Sequence, residues 1–180
     1  MRFAVLGLAA LVACAMAAPA RADVVIATPN TFVLHAERTI PATPAQAWAK
    51  LVRVGDWWSS EHTYSRNSHN LSLDLRAGGC WCERWSGGAV EHARVLLVMN
   101  RDGVRTLRMD APLGPPQEMA VNAILTFTVA PDPAGAKITM TYRVSGDASL
   151  SLDQVGPGVN AVIMEQYGRL IRLVTSGSPG

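Results

Sequence analysis

Apolar and polar residues alternate with two different periods along this chain, and the changes of period predict its strands and helices. Residues 32–40 (FVLHAERTI) are rich in β-forming residues with partial alternation, and Pro41 ends this first predicted strand. Thr43 and Gln46 then form a capping box, with Pro44 at the first helical position. The predicted domain therefore begins with a strand that is followed by a short helix.

The segment after this helix changes character twice. Residues 56–70 are polar and aromatic without either period, which is typical of a short helical turn and a loop. From Leu71 onward, runs of β-forming residues are separated by turn pairs such as Gly87-Gly88 and Asp102-Gly103. Their spacing predicts five or six antiparallel strands joined by hairpins.

The last periodic segment, residues 159–175, carries apolar residues on one side and charged residues on the other. It is predicted to be an amphipathic helix that Pro157 and Gly158 open and that ends before Gly177. This order of elements predicts an α+β fold in which the last helix covers a sheet.

The first 22 residues have the pattern of a secretory signal. Arg2 precedes an apolar stretch that is too short to span a membrane, and Ala20 to Ala22 supply a cleavage site. Cleavage after Ala22 would leave a periplasmic or secreted protein without a transmembrane helix. As an alternative, residues 11–14 (LVAC) resemble a lipoprotein box, in which Cys14 would carry a lipid anchor.

The remaining chain is expected to form one domain. Residues 23–31 are interpreted as a linker, residues 32–176 as the domain and residues 177–180 as a disordered tail. Removal of the signal lowers the count of Lys and Arg from 16 to 14, which equals the 14 Asp and Glu. With no net charge and no basic cluster, nucleic acid is excluded as a partner. The sequence carries no signal for an oligomeric state.

Cys80 and Cys82 are separated by a single residue. A disulfide closing so small a loop would add little stability and would strain an extended backbone. The favoured interpretation is two small residues on one face of a strand, and the alternative is a strained redox pair.

The chain carries, in this order, ERTIPATPAQAWAKL at 37–51, GGCWCE at 78–83, LGPP at 113–116, YRVSG at 142–146 and the terminal helix. In this order the segments resemble the START/Bet v 1-like (SRPBCC) superfamily, in its polyketide cyclase/dehydrase and Aha1-type branch. The resemblance implies a helix-grip fold: a curved antiparallel sheet of about seven strands around the long C-terminal helix, with two short helices after the first strand. It also implies a cavity for a mostly apolar small molecule, and no universal catalytic residues.

The hairpin around Gly87-Gly88 provides the candidate chemistry. A two-residue turn there would pair Glu83 with His92, on one face with Trp81, Trp85 and Arg94. If that face lines the cavity, Glu83 and His92 form a catalytic acid/base pair or a polar ligand anchor. The alternative is a cross-strand polar pair on the solvent face.

In the predicted fold, the loop at 57–64 lies beside the mouth of this cavity. Its aromatic residues are typical of a lid over an aromatic ligand. For His62 alone, a solvated loop histidine is the favoured interpretation, and Glu118 is expected within reach of the rim. No metal site is predicted, because His62, Glu83 and His92 lack the spacing of a metal motif, and no cofactor is expected. The candidate ligand-binding residues are Trp57, Trp58, His62, Tyr64, Trp81, Trp85, Phe127, Met140, Tyr142 and Met164.

Two functions follow from these residues. The first is an exported protein that binds a small apolar or aromatic molecule. The second is a polyketide cyclase/dehydrase-like enzyme that uses Glu83 and His92 on a carbonyl-bearing substrate. A third, the chaperone-interacting role that the Aha1-type resemblance implies, conflicts with export because its partner would be cytosolic.

Overall fold

An antiparallel sheet of eight strands curves around a long C-terminal helix in this computed structural model, which describes residues 23–180. The predicted signal and Cys14 lie outside the described residues. The strand order across the sheet is β1-β2-β8-β7-β6-β5-β4-β3. The strands are β1 Asp23–Thr28, β2 Thr31–Ile40, β3 Leu71–Leu73, β4 Cys80–Trp85, β5 Gly88–Arg101, β6 Val104–Asp110, β7 Asn122–Asp132 and β8 Gly135–Ser145.

Within residues 23–180, two α-helices accompany the sheet, and the long one matches the helix-grip prediction. None of the helices within residues 23–180 is both long and apolar enough to cross a membrane. The helices are α1 Pro44–Leu51 and α2 Leu152–Ser176, with short 3₁₀ turns at Val54–Asp56, Ser60–His62, Ser68–Asn70, Pro115–Gln117 and Ala148–Leu150.

The predicted α+β helix-grip class is confirmed, and two predicted boundaries are corrected. Residues 23–31 are not a linker, because Asp23–Thr28 pairs with β2 as an additional edge strand. Residues 177–180 are not a free tail either: Arg172 Nε donates a 2.7 Å hydrogen bond to the carbonyl of Pro179, and Arg169 bonds to Gly180. The extra strand accounts for eight strands instead of about seven.

The capping box forms as predicted at the start of α1. The Gln46 N–H donates to Thr43 Oγ1 at 3.2 Å, and Gln46 Oε1 accepts from the Thr43 N–H at 2.9 Å. Because both groups are otherwise orphaned at a helix start, this exchange fixes where α1 begins.

Helix α2 begins earlier than predicted, at Leu152 rather than near Val159, so Pro157 lies inside it. The start is set by tertiary structure: Leu152 is buried, and its N–H donates a 2.8 Å hydrogen bond to the carbonyl of Pro29. Gly156 faces the Phe32 ring, where an added Cβ would lie 3.3 Å from Cγ. Because glycine has no side chain, α2 can approach Phe32 of β2 closely at this point.

The core lies between the concave face of the sheet and the second half of α2. Alternate residues of β2, β7 and β8 are buried, as expected for one covered face. Tyr167 of α2 is buried, and its hydroxyl donates a 2.8 Å hydrogen bond to the carbonyl of Ile138. This packing fills the concave face over the central strands, and a cavity is left toward β4 and β5.

Gly135, the first residue of β8, packs closely against the backbone at the end of β2. Its φ is +131°, and an added Cβ would collide with the Ile40 carbonyl and lie 2.9 Å from the Ala42 nitrogen. We expect Gly135→Ala to lower the free energy of unfolding in urea by about 2–4 kcal/mol. The control is Gly158→Ala in α2, where no atom lies within 4 Å of an added Cβ. That variant should gain about 0.5–1 kcal/mol, and equal stabilities of the two variants would contradict the analysis.

Candidate functional site

A cavity of about 590 Å³ lies between the first half of α2, the loop at residues 58–64 and strands β4 and β5. Its buried end contains Trp58, Trp81 and His92, each less than a tenth exposed, whereas Tyr64 and Glu118 at the rim are exposed. The lining residues are Trp58, His62, Thr63, Tyr64, Leu71, Trp81, His92, Leu113, Gly114, Pro115, Pro116, Glu118, Val155, Gly158, Val159, Val162 and Ile163.

Three indole rings meet at the buried end. The rings of Trp58 and Trp81 pack edge to face at 4.9 Å, and Trp57 packs behind both. Trp57 donates its N–H to the Leu51 carbonyl, and Trp58 donates to the His62 carbonyl, each at 2.9 Å. The Trp81 N–H is buried and has no hydrogen-bond partner within residues 23–180. It is thus a donor without an acceptor, on a residue of the cavity wall.

A β-bulge turns His92 toward this cavity. The turn of the hairpin is Ser86-Gly87, so Trp85 pairs with Gly88 and Glu83 pairs with Val90, two residues away from the predicted register. Between the pairs Cys82–Glu91 and Trp81–Ala93, His92 is the extra residue. Bulges re-aim side chains in this way. Beyond the bulge the faces invert, and Arg94 is exposed opposite Cys80 rather than beside Trp81 as predicted.

Despite the changed register, Glu83 and His92 are in contact: His92 Nε2 and Glu83 Oε2 are 2.8 Å apart. Glu83 is completely buried and also accepts hydrogen bonds from the N–H groups of Tyr64 and Ser65. Burial alone would raise the pKa of Glu83, but the hydrogen bonds from Ser65, His92 and Tyr64 outweigh it and hold this pKa below its ordinary value of 4.5. Glu83 is therefore an ionised carboxylate at neutral pH.

This arrangement gives the two residues different roles. Both Glu83 oxygens are occupied by donors, so the carboxylate orients His92 and the loop rather than facing a ligand. Because the ionised Glu83 carboxylate can only accept a hydrogen bond, the neutral imidazole must carry its proton on Nε2. The other ring nitrogen, Nδ1, has no partner in the described part of the chain. His92 can therefore bind a polar group or a proton of a ligand at Nδ1.

The loop at 58–64 is held over the cavity at both ends. At its start, the Ser59 N–H donates a 2.7 Å hydrogen bond to Gln166 Oε1 of α2. At its far end, Tyr64 and Ser65 are bonded to Glu83. In between, His62 Nε2 lies 3.1 Å from Glu165 Oε2, so His62 is paired with α2 and is not the free loop histidine that the sequence favoured.

Four of the ten predicted ligand-binding residues, Trp58, His62, Tyr64 and Trp81, are in the cavity wall, together with His92 of the predicted acid/base pair. Glu83 lies behind His92 and is not part of the lining. Glu118 lies at the rim. Whether any of them binds a ligand stays a prediction.

The other six predicted residues lie outside the cavity, which corrects their placement. Phe127, Met140 and Tyr142 are buried core residues on the central strands, because the rest of α2 and Trp57 fill that part of the concave face. The Tyr142 hydroxyl donates to the Ala111 carbonyl at 2.8 Å. Met164 of α2 packs half-buried against the same core.

Trp57 and Trp85 are displaced for different reasons. Trp57 is 1% exposed and closes the core beneath the loop. Trp85 is on the same face as Trp81 but at the tip of the hairpin, beyond the cavity. Its ring covers the glycine turn, since an added Cβ at Gly87 would lie 2.8 Å from Trp85 Nε1.

The sequence predicted that the inner side of the terminal helix lines the cavity but named only Met164 there, and it predicted no ligand contact for the turn at 113–116. Val155, Val159 and Val162 recur at helical spacing and line the cavity with Gly158 between them. The spacing was visible in the sequence, but the predicted helix began too late to include Val155. Leu113 to Pro116 was expected only to shape a hairpin, and it closes the opposite wall.

Cys80 and Cys82 form a disulfide, with Cα atoms 5.3 Å apart. The favoured expectation of two unbonded residues is therefore corrected. The bridge lies on the convex side of β4, and Arg84 Nη2 is 3.2 Å from Cys82 Sγ. The two cysteines flank Trp81, so the bridge constrains the backbone that carries the unpartnered indole. In residues 23–180, no group of three or more His, Cys, Asp or Glu side chains is placed to hold a metal ion.

The fold is similar to that of several solved bacterial structures. Protein jhp0584 from Helicobacter pylori matches with 14% identity and a TM-score of 0.54, over 82% of this chain and 89% of that one. Protein MLL2253 from Mesorhizobium loti matches with 16% identity and a TM-score of 0.52, over 79% and 96%. A conserved protein of unknown function from Enterococcus faecalis matches with 14% identity and a TM-score of 0.50, over 82% and 74%.

Comparison with protein families gives no match, and comparison with curated proteins gives none either. At these identities the structural likeness establishes the fold alone, which is the helix-grip fold.

We expect Glu83→Gln to lower the free energy of unfolding by about 3 kcal/mol, because three donors would lose an ionised acceptor in a buried position. The matched control is Glu91→Gln on the convex side of the same hairpin, where the carboxylate pairs with exposed Arg94. It should change stability by less than about 0.5 kcal/mol. Urea unfolding of the three proteins measures both, and similar losses in the two variants would contradict the role of Glu83.

The same measurement against pH checks the ionisation of Glu83. Its pKa is lowered from 4.5 in the folded state, so its stabilising contribution is complete above the unfolded-state pKa and is lost as the pH falls through the folded-state pKa. The difference in stability between the wild type and Glu83→Gln should be constant near neutral pH and shrink below about pH 4.5. A difference that is independent of pH down to acid unfolding would refute this ionisation.

Proposed function

We propose that this chain is an exported small-molecule-binding protein of the SRPBCC/START-like type, which holds an apolar or aromatic ligand in the cavity beneath α2. The observation that carries the proposal is an apolar cavity with an unpartnered polar atom on its wall: His92 lines the cavity, and its Nδ1 has no hydrogen bond within the described residues. A polar group of a ligand can bond to this nitrogen.

The shape of the cavity supports the same function. A volume of about 590 Å³ is within the range of small-molecule sites. Valines and Ile163 of α2 form one wall and aromatic rings form another, with few polar groups among them. Apolar burial would therefore supply most of the affinity, while His92 would set the orientation of the ligand.

Export and its compartment are part of the proposal. It rests on the signal pattern of residues 1–22 and is supported by the Cys80–Cys82 disulfide, since disulfides persist mainly in oxidising compartments. In the periplasm or outside the cell, the cytosolic partner of Aha1-type proteins would be out of reach, so we do not propose that role.

A polyketide cyclase/dehydrase-like enzyme is the second candidate, and the free Nδ1 of His92 at the cavity favours it. The proton on a carbon next to a ligand carbonyl would move to Nδ1, and the C–H electron pair would form the enolate. Glu83 would be a positioning residue that holds the imidazole and its proton on Nε2, rather than the second half of an acid/base pair.

The binding function predicts that the protein purified from the periplasm carries a small molecule in native mass spectrometry. Gly158→Leu should prevent this, because the new side chain would project from the middle of the cavity stripe of α2. The control Gly168→Leu lies on the same helix outside the cavity and should retain the ligand. Failure to retain or rebind any small molecule in the wild type, or equal retention in both variants, would argue against a binding cavity.

The enzymatic function predicts accelerated exchange of the methyl protons of 2-acetonaphthone with D₂O, followed by NMR. His92→Ala should reduce the protein-dependent rate by about 100-fold or more. His35→Ala is the control, since His35 lies on β2, bonded to Thr141 and away from the cavity. An equal rate in wild type and His92→Ala would exclude His92 as a base for this reaction.

A further inference from the structure

We propose that the Cys80–Cys82 disulfide is a second functional site, at which the protein oxidises a dithiol to a disulfide by thiol–disulfide exchange. Neither cysteine belongs to the cavity wall, and the proposal does not depend on the proposed ligand-binding function. Three observations carry it: the size of the loop that the bridge closes, the different exposure of the two cysteines and the guanidinium group beside one of them.

The bridge is largely redundant as a structural cross-link. It joins residues two positions apart, and closing so small a loop removes little entropy from the unfolded chain. Both cysteines are also held by sheet pairing. Cys82 is paired with Ser72 of β3 on one side and with Glu91 of β5 on the other, and Cys80 is paired with Arg94 of β5. The disulfide can therefore open while β4 stays in the sheet.

The two cysteines differ in exposure, which gives the exchange a direction. Cys82 is 6% exposed, whereas Cys80 is half-buried. An incoming thiolate therefore attacks Cys80 Sγ. The bond that breaks leaves its electron pair on Cys82, so Cys82 is the leaving thiolate.

Arg84 is placed to stabilise that thiolate. Its Nη2 donates to Cys82 Sγ at 3.2 Å, and its Nη1 donates to the Ser72 hydroxyl at 3.5 Å. Within residues 23–180 it forms no salt bridge. A cation beside a sulfur favours the thiolate over the thiol, and a stabilised thiolate is the better leaving group. Arg84 therefore promotes opening of the bridge.

Two carboxylates on the neighbouring segments do not cancel this charge. Glu91 is bound by Arg94 at 2.9 Å, and Asp74 is bound by Arg76 at 2.7 Å. The charge of Arg84 is thus left to act on the sulfur. A disulfide whose reduced form is stabilised in this way is an oxidant of thiols, which is why we propose oxidation of the dithiol and not reduction of a disulfide.

The exchange has two steps. A substrate thiolate attacks Cys80 Sγ and forms an S–S bond to it, while the Cys80–Cys82 bond breaks and its electron pair goes to Cys82 Sγ beside Arg84. The second thiolate of the substrate then attacks the substrate sulfur of this mixed disulfide, and Cys80 leaves as a thiolate that takes a proton from water. The dithiol loses two protons and two electrons, and the protein disulfide gains the same two electrons.

The test follows opening of the bridge in the mature, folded protein at pH 7 by acid quenching, alkylation and mass spectrometry. Dithiothreitol should open it and yield about one equivalent of oxidised dithiothreitol per protein. Reduced glutathione, which has one thiol, should be trapped as a mixed disulfide on Cys80. Arg84→Gln should slow both reactions by about threefold or more. The control is Arg108→Gln, an exposed arginine on β6 that is bonded to Thr126, and it should react at the wild-type rate.

Opening of the bridge only after urea has unfolded the protein would show a purely structural disulfide and overturn the proposal. Equal rates in the wild type and Arg84→Gln, or attachment of glutathione to Cys82, would overturn the assigned roles. The double variant Cys80→Ala/Cys82→Ala should melt within about 6 °C of the wild type by circular dichroism. Loss of the fold in that variant would contradict the redundancy of the bridge. None of these results bears on the proposed ligand-binding function, which native mass spectrometry tests separately.

Discussion

The buried carboxylate of Glu83 is the interaction on which the site depends. A charge without exposure is tolerated only when its oxygens are fully bonded, and here the partners come from two separate parts of the chain. Tyr64 and Ser65 belong to the loop, and His92 belongs to the neighbouring strand. One ionised group thus holds the loop at 58–64 over the cavity and also fixes the tautomer of His92. The position of the loop and the hydrogen-bonding character of His92 therefore depend on the same carboxylate.

The size of the cavity follows from the way the rest of the concave face is filled. Tyr167 and Leu170 of α2 lie on the central strands, and Trp57 packs against Phe127 with ring centroids 6.3 Å apart. Trp57 is held in place by its hydrogen bond to Leu51 at the end of α1. The capping box fixes where α1 begins, and the last residue of the same helix supplies the acceptor that holds this indole between core and cavity.

The sequence predicted those features whose causes are local. The capping box at Thr43, the period of the last helix and the order of the hairpins are local signals, and together they predicted an α+β fold in which the last helix covers a sheet. The helix-grip class was implied by the family resemblance. The start of α2 depends on a bond between Leu152 and Pro29, and β1 depends on pairing with β2, so neither has a complete local signal. Aromatic residues such as Phe127 and Tyr142 are as common in a core as in a cavity wall. The packing of α2 and Trp57 is what places them in the core.

The hairpin of β4 and β5 shows how a predicted contact can be right while its register is wrong. Moving the turn by one position shifts the pairing by two residues and preserves the faces, and the bulge then returns His92 to within 2.8 Å of Glu83. The adjacent disulfide restricts the backbone on both sides of Trp81. The disulfide on one face of β4 and the bonded carboxylate of Glu83 on the other restrain the same four residues, 80–83. The part of the cavity wall that Trp81 and His92 form is thus held in place by bonds that lie behind it.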